Sequence, residues 1–107
     1  MITVTFDMSK YEVKFKGHAG QGDPGHDLVC ASASMLFYTL WENLSQMEEM
    51  LCKDSFKSVS KAGNASIKCK PLKKFEPNIT LVYLVIYNGL QLLAGDYSDF
   101  IEVKLIQ

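Results

Sequence analysis

A chain of 107 residues with 11 Lys plus Arg, 12 Asp plus Glu and a formal net charge of −1 has the length of a single domain, residues 1–107, and excludes a multidomain machine. Hydrophobic residues make up 48%, enough for a core and too many for intrinsic disorder. So balanced a charge gives no broad reason to hold a nucleic-acid backbone or an anionic membrane surface, because counterion release needs clustered Lys and Arg; the expected partners include neither.

Two short alternating runs open the chain, with Ile2, Val4 and Phe6 on one face of the first and Tyr11, Val13 and Phe15 on one face of the second. Asp7-Met8-Ser9-Lys10 between them reads as a hairpin turn. Residues 17–26 follow as a glycine-rich mobile loop, holding Gly17, Gly20, Gly22 and Gly25 together with Pro24.

From Asp27, an N-cap candidate, the period becomes helical: Val29, Ala33, Leu36, Leu40, Leu44, Met47 and Leu51 recur at steps of three and four. Cys52 then ends the long helix. Ser55–Ser60 and Ala65–Lys70, joined through Lys61-Ala62-Gly63-Asn64, predict a second hairpin. The run Leu81–Tyr87 alone fits a strand or a buried helix. Pro77 and Asn78 as a start, Ile79, Val82, Ile86, Leu90 and Leu93 at helical spacing and Gly95 as a stop favour the helix. A last strand runs from Phe100 to Ile106. The order ββαββαβ predicts an α+β fold, two helices packed on a largely antiparallel sheet.

An odd set of cysteines, Cys30, Cys52 and Cys69, and a start without a cationic and apolar signal region point to a reducing, cytoplasmic setting. The most apolar stretch, Ile79 to Ala94, is broken by Asn88, Gly89 and Gln91 and falls short of the roughly 20 residues of a bilayer span.

His18 and Cys30 bracket the glycine loop. With Asp27 as N-cap, Cys30 is the third residue of the helix, where free N–H groups and the positive end of the helix dipole favour a thiolate, and its backbone N–H is placed to hold an oxyanion. Cys30 falls on the border of the core stripe with Ser34, Phe37 and Trp41, which predicts a partly buried sulfur with an apolar wall beside it. On residue types alone, Cys30 can equally be a small buried hydrophobe and His18 an exposed imidazole. His26, four residues before Cys30, is a rival base, with an unremarkable exposed imidazole as its plain reading. His18, His26, Cys30 and Asp27 as a metal set fit no common zinc spacing, so no metal and no cofactor is expected. Cys52 and Cys69 read as structural. The lysine run Lys68, Lys70, Lys73, Lys74 reads first as a solvated edge and, more sharply, as a docking patch.

Gly17-His18-Ala19, then Gly25-His26-Asp27-Leu28-Val29-Cys30-Ala31, then Ser34 resembles the bacterial ribosomal-processing cysteine proteases, and the predicted order of elements is similar to theirs over almost the whole chain. The resemblance implies a homodimeric endopeptidase that removes a short N-terminal extension from a protein of the large ribosomal subunit. It implies Cys30 as nucleophile, His18 as general base and Asp27 as an acidic residue supporting the site, with Ser34 in the motif and Gly17, Ala19, Gly20, Gly22 and Gly25 on the loop that meets substrate. Asp27 can serve by capping the helix or by orienting His18. Ser32 departs from a frequent small apolar residue, and Ser98 after Tyr97 from a common proline. The competing class is a non-enzymatic, ribosome-associated peptide-binding module with an inert Cys30.

Overall fold

The computed structural model describes residues 1–20 and 27–106. Its elements are β1 (Ile2–Asp7), β2 (Glu12–Lys16), α1 (Leu28–Gln46), β3 (Lys57–Lys61), β4 (Asn64–Lys68), α2 (Glu76–Asp96) and β5 (Ile101–Ile106), with 3-10 turns at Glu48–Met50 and Lys73–Phe75. The predicted order is the observed one. The strands form one sheet in the order β3-β4-β2-β1-β5, antiparallel except for the parallel pair β1 with β5.

Alternation decides which face of the sheet is covered. Ile2, Val4, Phe6, Val13, Phe15, Ile67 and Ile101 are buried, and both helices lie over that face. Phe15 meets Phe37 of α1 edge to face with ring centroids 5.4 Å apart, and Phe6 meets Tyr87 of α2 in the same way at 5.3 Å. From α1 the core takes Val29, Ala33, Phe37, Leu40 and Leu44, and from α2 it takes Ile79, Tyr83, Ile86 and Leu90. Among the described residues no charged side chain is buried, and the polar groups within the core are the Tyr83 hydroxyl and the Cys69 thiol.

The β1–β2 turn is pinned by tertiary bonds. Ser9 donates to the Asp7 carboxylate through N–H and Oγ, at 3.2 and 2.6 Å. Tyr11 then adopts φ 47°, a left-handed conformation costly for a bulky residue. Its carbonyl accepts from the buried Tyr83 hydroxyl at 2.6 Å and from the Cys69 N–H at 3.2 Å, which hold it there.

Several expected details differ. The second hairpin forms, but with strands at Lys57–Lys61 and Asn64–Lys68 in place of Ser55–Ser60 and Ala65–Lys70. Helix α1 stops at Gln46, because Met47 leaves helical geometry at φ −112°, ψ 20° and the chain tightens into a 3-10 turn; Cys52 therefore lies beyond the helix. Phe37 displaces Leu36 from the innermost row. Helix α2 has 21 residues, and length and composition alone would let it cross a membrane, so the argument from a short apolar stretch does not hold. What marks it as a core helix is the burial of Ile79, Tyr83, Ile86 and Leu90 against the sheet.

Candidate active site

The first turn of α1 is built around Asp27. At φ −82°, ψ 101° it is the N-cap, and its Oδ1 accepts the Cys30 N–H at 2.9 Å, a bond typically worth about 1 kcal/mol to a helix. This places Cys30 third in the helix, half-buried at the edge of the core. The capping bond also corrects an expectation: with its N–H spent on Asp27, Cys30 does not itself offer that donor to an oxyanion.

The other half of the site hangs on the end of β2. Gly17 has φ +92°, and a Cβ there would run into the Met1 carbonyl oxygen; only glycine fits. Its N–H donates to the Gly63 carbonyl at 3.0 Å, tying the strand end to the β3–β4 turn. Next comes His18, exposed, with Nε2 directed at Gly63: a Cβ on Gly63 would lie 2.8 Å from that nitrogen. Ala19 is buried and anchors the segment, so that its N–H points at the Cys30 Sγ at 3.5 Å.

His18 and Cys30 thus line one cavity of about 310 Å³. Its floor is Ile2, Phe15 and Ala33. One wall is α1, with Cys30, Ser34, Phe37 and Tyr38 on successive turns, and the other is the β3–β4 hairpin from Ser60 to Ala65. The volume is within the range of small-ligand and peptide side-chain pockets. Beyond it the wall is tied off, since the Tyr38 hydroxyl lies 2.6 Å from the Ser60 Oγ and Trp41 Nε1 donates to the Ser58 Oγ at 3.2 Å. Trp41, expected along the same wall, rests on Phe56 instead, with ring centroids 6.2 Å apart.

The electrostatics of Cys30 run against the helix-dipole expectation. Burial pushes its thiol above the ordinary value, the Ala19 N–H pulls the other way, and the Asp27 carboxylate raises it further by hydrogen bonding and charge. No hydrogen bond joins His18 to Cys30 among the described residues, and contacts of this kind commonly tighten only with substrate in place.

Gly22, Gly25 and His26 lie outside the described residues, while Gly17, Ala19, Gly20, Asp27 and Ser34 lie within them. Among the described residues no cluster of three or more His, Cys, Asp or Glu could hold a metal. Sequence reasoning missed Gly63, Ser60 and Tyr38. A glycine in the turn Lys61-Ala62-Gly63-Asn64 was the available signal for the first, at φ +72°; nothing local marks the other two, because the sheet alone brings β3 beside α1.

Residues 1–102 match the family described as cysteine protease Prp. The chain belongs to that family. It is accordingly a cysteine protease. Among solved structures, an essential ribosomal processing protease Prp from S. aureus with a covalently linked product peptide is 23% identical, with 98% of this chain and 99% of that chain covered and a TM-score of 0.78. The S. aureus Prp with a substrate peptide is 22% identical, with the same coverage and a TM-score of 0.74. SMU.848 from Streptococcus mutans is 23% identical over 98% of this chain and 91% of that chain, with a TM-score of 0.68. At these identities the structures establish the shared Prp fold. A search of curated protein sequences returns no match.

Proposed function

We propose that this Prp-family protease removes the short N-terminal extension of a large-subunit ribosomal protein, with Cys30 as nucleophile and His18 as general base. The observation that carries the reading is that His18 and Cys30, one on each side of the glycine loop, line one open cavity with a backbone N–H aimed at the sulfur. The S. aureus relatives, described as ribosomal processing proteases with substrate and product peptides, support the same substrate class.

His18 takes the thiol proton as peptide binds and water is displaced from the cavity. The Cys30 sulfur attacks the scissile carbonyl, forming a C–S bond and an oxyanion. With the Cys30 N–H committed to Asp27, the Ala19 N–H at the sulfur is the donor for that oxyanion; losing one such donor typically costs about 100- to 1,000-fold. Collapse breaks the C–N bond, and the proton held by His18 passes to the leaving amine. Water, deprotonated by His18, cleaves the thioester and restores the thiol. Asp27 serves by capping the helix, which fixes Cys30, and Ser34 lines the cavity one turn along.

The protease works in the cytoplasm as a homodimer. Exposed Leu81, Leu84, Val85 and Leu92 on α2 and Met35 on α1 form an apolar surface on the helical layer suited to a second copy.

The test is incubation of the purified protein with a peptide spanning the junction between extension and mature start, beside Cys30→Ala and His18→Ala, read by mass spectrometry. One cut at the junction, absent in Cys30→Ala and reduced at least about 100-fold in His18→Ala, is the expected result. No cut by folded, reduced protein, or full activity of His18→Ala, overturns the reading.

A further inference from the structure

The sheet has one face under the helices and one in solvent, and the solvent face is not electrically neutral. Cross-strand register arranges its side chains in three ranks. The first runs Lys57, Lys68, Glu12, Asp7, Ile106; the second Val59, Ser66, Lys14, Thr5, Lys104; the third Lys61, Asn64, Lys16, Thr3, Glu102. On the β3-β4-β2 half, five lysines stand against a single glutamate. The β5-β1 half carries Asp7 and Glu102 against Lys104. The net charge of −1 averages over these unlike surfaces, which is why composition gave no reason to look for a polyanion.

Two features separate this half from an ordinary solvated face. Lys57 and Lys68 are directly paired across antiparallel strands, an arrangement that works against sheet stability because like charges sit about 5 Å apart at Cβ. In addition, Lys16, Lys57, Lys61 and Lys68 form no ion pair among the described residues; the face spends its acids elsewhere, Glu12 on Lys14 at 3.9 Å and Glu102 on Lys104 at 3.6 Å. Residues two apart along a strand are about 7 Å apart and neighbouring strands about 4.8 Å. The five ammonium groups are therefore spread over a field of roughly 10 by 13 Å, broad enough for several phosphates.

We propose that the uncovered face of β3, β4 and β2 binds the phosphate backbone of duplex RNA. Its chemistry selects among polyanions. The cross-strand neighbours of the lysines include Ser66, Asn64 and Thr5, whose hydroxyl and amide groups suit phosphate oxygens and ribose 2′-hydroxyls. No aromatic side chain stands in these three ranks, so bases have nothing to stack on and an unpaired strand is not favoured. An open sheet face fits the wide, shallow minor groove of an A-form helix, whereas the grooves of B-DNA take a projecting helix or ribbon. Binding is of the backbone and does not read sequence. Lys61 also lines the catalytic cavity, so the field runs up to the site, and a protease held there acts on protein that is close to RNA. The inference stands on the sheet register and is independent of the proteolytic reading.

The test is fluorescence anisotropy with an RNA duplex of about 20 base pairs and arbitrary sequence, from about 50 to 200 mM salt, using the whole protein and the variant Lys14→Gln/Lys57→Gln/Lys68→Gln. A second variant, Lys53→Gln/Lys73→Gln/Lys74→Gln, removes the same charge away from the sheet face. Unfolding midpoints show that each is folded. Expected is a log-log salt slope near −4 for the parent, falling to about −2 in the sheet variant, with affinity at low salt reduced more than tenfold and the charge-matched control close to the parent. No binding at low salt, or equal losses in the two variants, overturns the proposal. So does equal affinity for a DNA duplex of the same sequence, for polyglutamate or for phosphatidylserine vesicles.

Discussion

Gly63→Ala tests how His18, the proposed base, is held. The added Cβ would lie 2.8 Å from His18 Nε2 and 3.4 Å from the two adjoining ring carbons, roughly 0.7 to 1.2 Å inside the ~3.5–4.0 Å of an unstrained contact. The turn cannot retreat, because its carbonyl holds the Gly17 N–H at 3.0 Å, so the imidazole must move. A displacement near 1 Å at a reacting group costs on the order of 100-fold in rate, or about 2.7 kcal/mol of transition-state stabilisation. Separately, an alanine at φ +72° carries a left-handed strain of about 1–2 kcal/mol. Gly20→Ala isolates that strain, since it shares the φ of +72° and has nothing within 4 Å of a new Cβ. The two variants are expected to lose similar stability in thermal unfolding, while Gly63→Ala loses kcat on the junction peptide by about 100-fold with KM little changed. Folded Gly63→Ala with kcat within about threefold of the parent would refute the idea that this turn sets the position of the base.

The raised thiol of Cys30 predicts that its alkylation by iodoacetamide in the free enzyme climbs about tenfold per pH unit from neutrality to pH 9. Asp27→Asn should move that titration downward, and a rate that plateaus near neutrality would contradict the assignment of causes. Tyr83 is pushed up from its usual value chiefly by burial, and Cys69 likewise. The unfolded chain therefore ionises first, and stability falls by roughly 1.4 kcal/mol per pH unit for each group, from about pH 8.5 for Cys69 and from about pH 10 for Tyr83. Tyr83→Phe should cost about 1 kcal/mol at neutral pH yet show a shallower alkaline decline in urea unfolding; parallel declines would refute the sign argument. Val85→Glu/Leu92→Glu, placed on the exposed face of α2, should sediment as a monomer while the parent sediments as a dimer, and a monomeric parent would remove the dimer.

Periodicity and punctuation reached far into this fold because most elements are locally determined. Asp27 before Val29, Ala33 and Leu40 specifies both the start and the inner face of α1. Pro77 and the spacing of Ile79, Ile86 and Leu90 do the same for α2. What escaped depends on neighbours distant in sequence. That β5 lies parallel to β1 follows from the route of α2 across the sheet, which no alternation within Ile101–Ile106 encodes. The candidate dyad was legible through Gly17-His18-Ala19 and Asp27 to Cys30, but not the state of the sulfur. A helix dipole and a capping carboxylate pull oppositely on one thiol, and the burial that adds its own upward push arises only after folding.

Strand β3 has no buried residue. Besides its ladder to β4, it is fastened through Ser58 and Ser60 to Trp41 and Tyr38, bonds worth about 0.5–1.5 kcal/mol each. The candidate cleft is therefore asymmetric in its mechanics: the helix wall is anchored in the core, whereas β3 can peel back from its Lys57 end at modest cost while the turn at Gly63 stays tied to Gly17. Amide exchange should be fast along Lys57–Lys61 and slow in β1 and β2. A bulky peptide side chain can then widen the cavity from one side without disturbing the helix that carries Cys30.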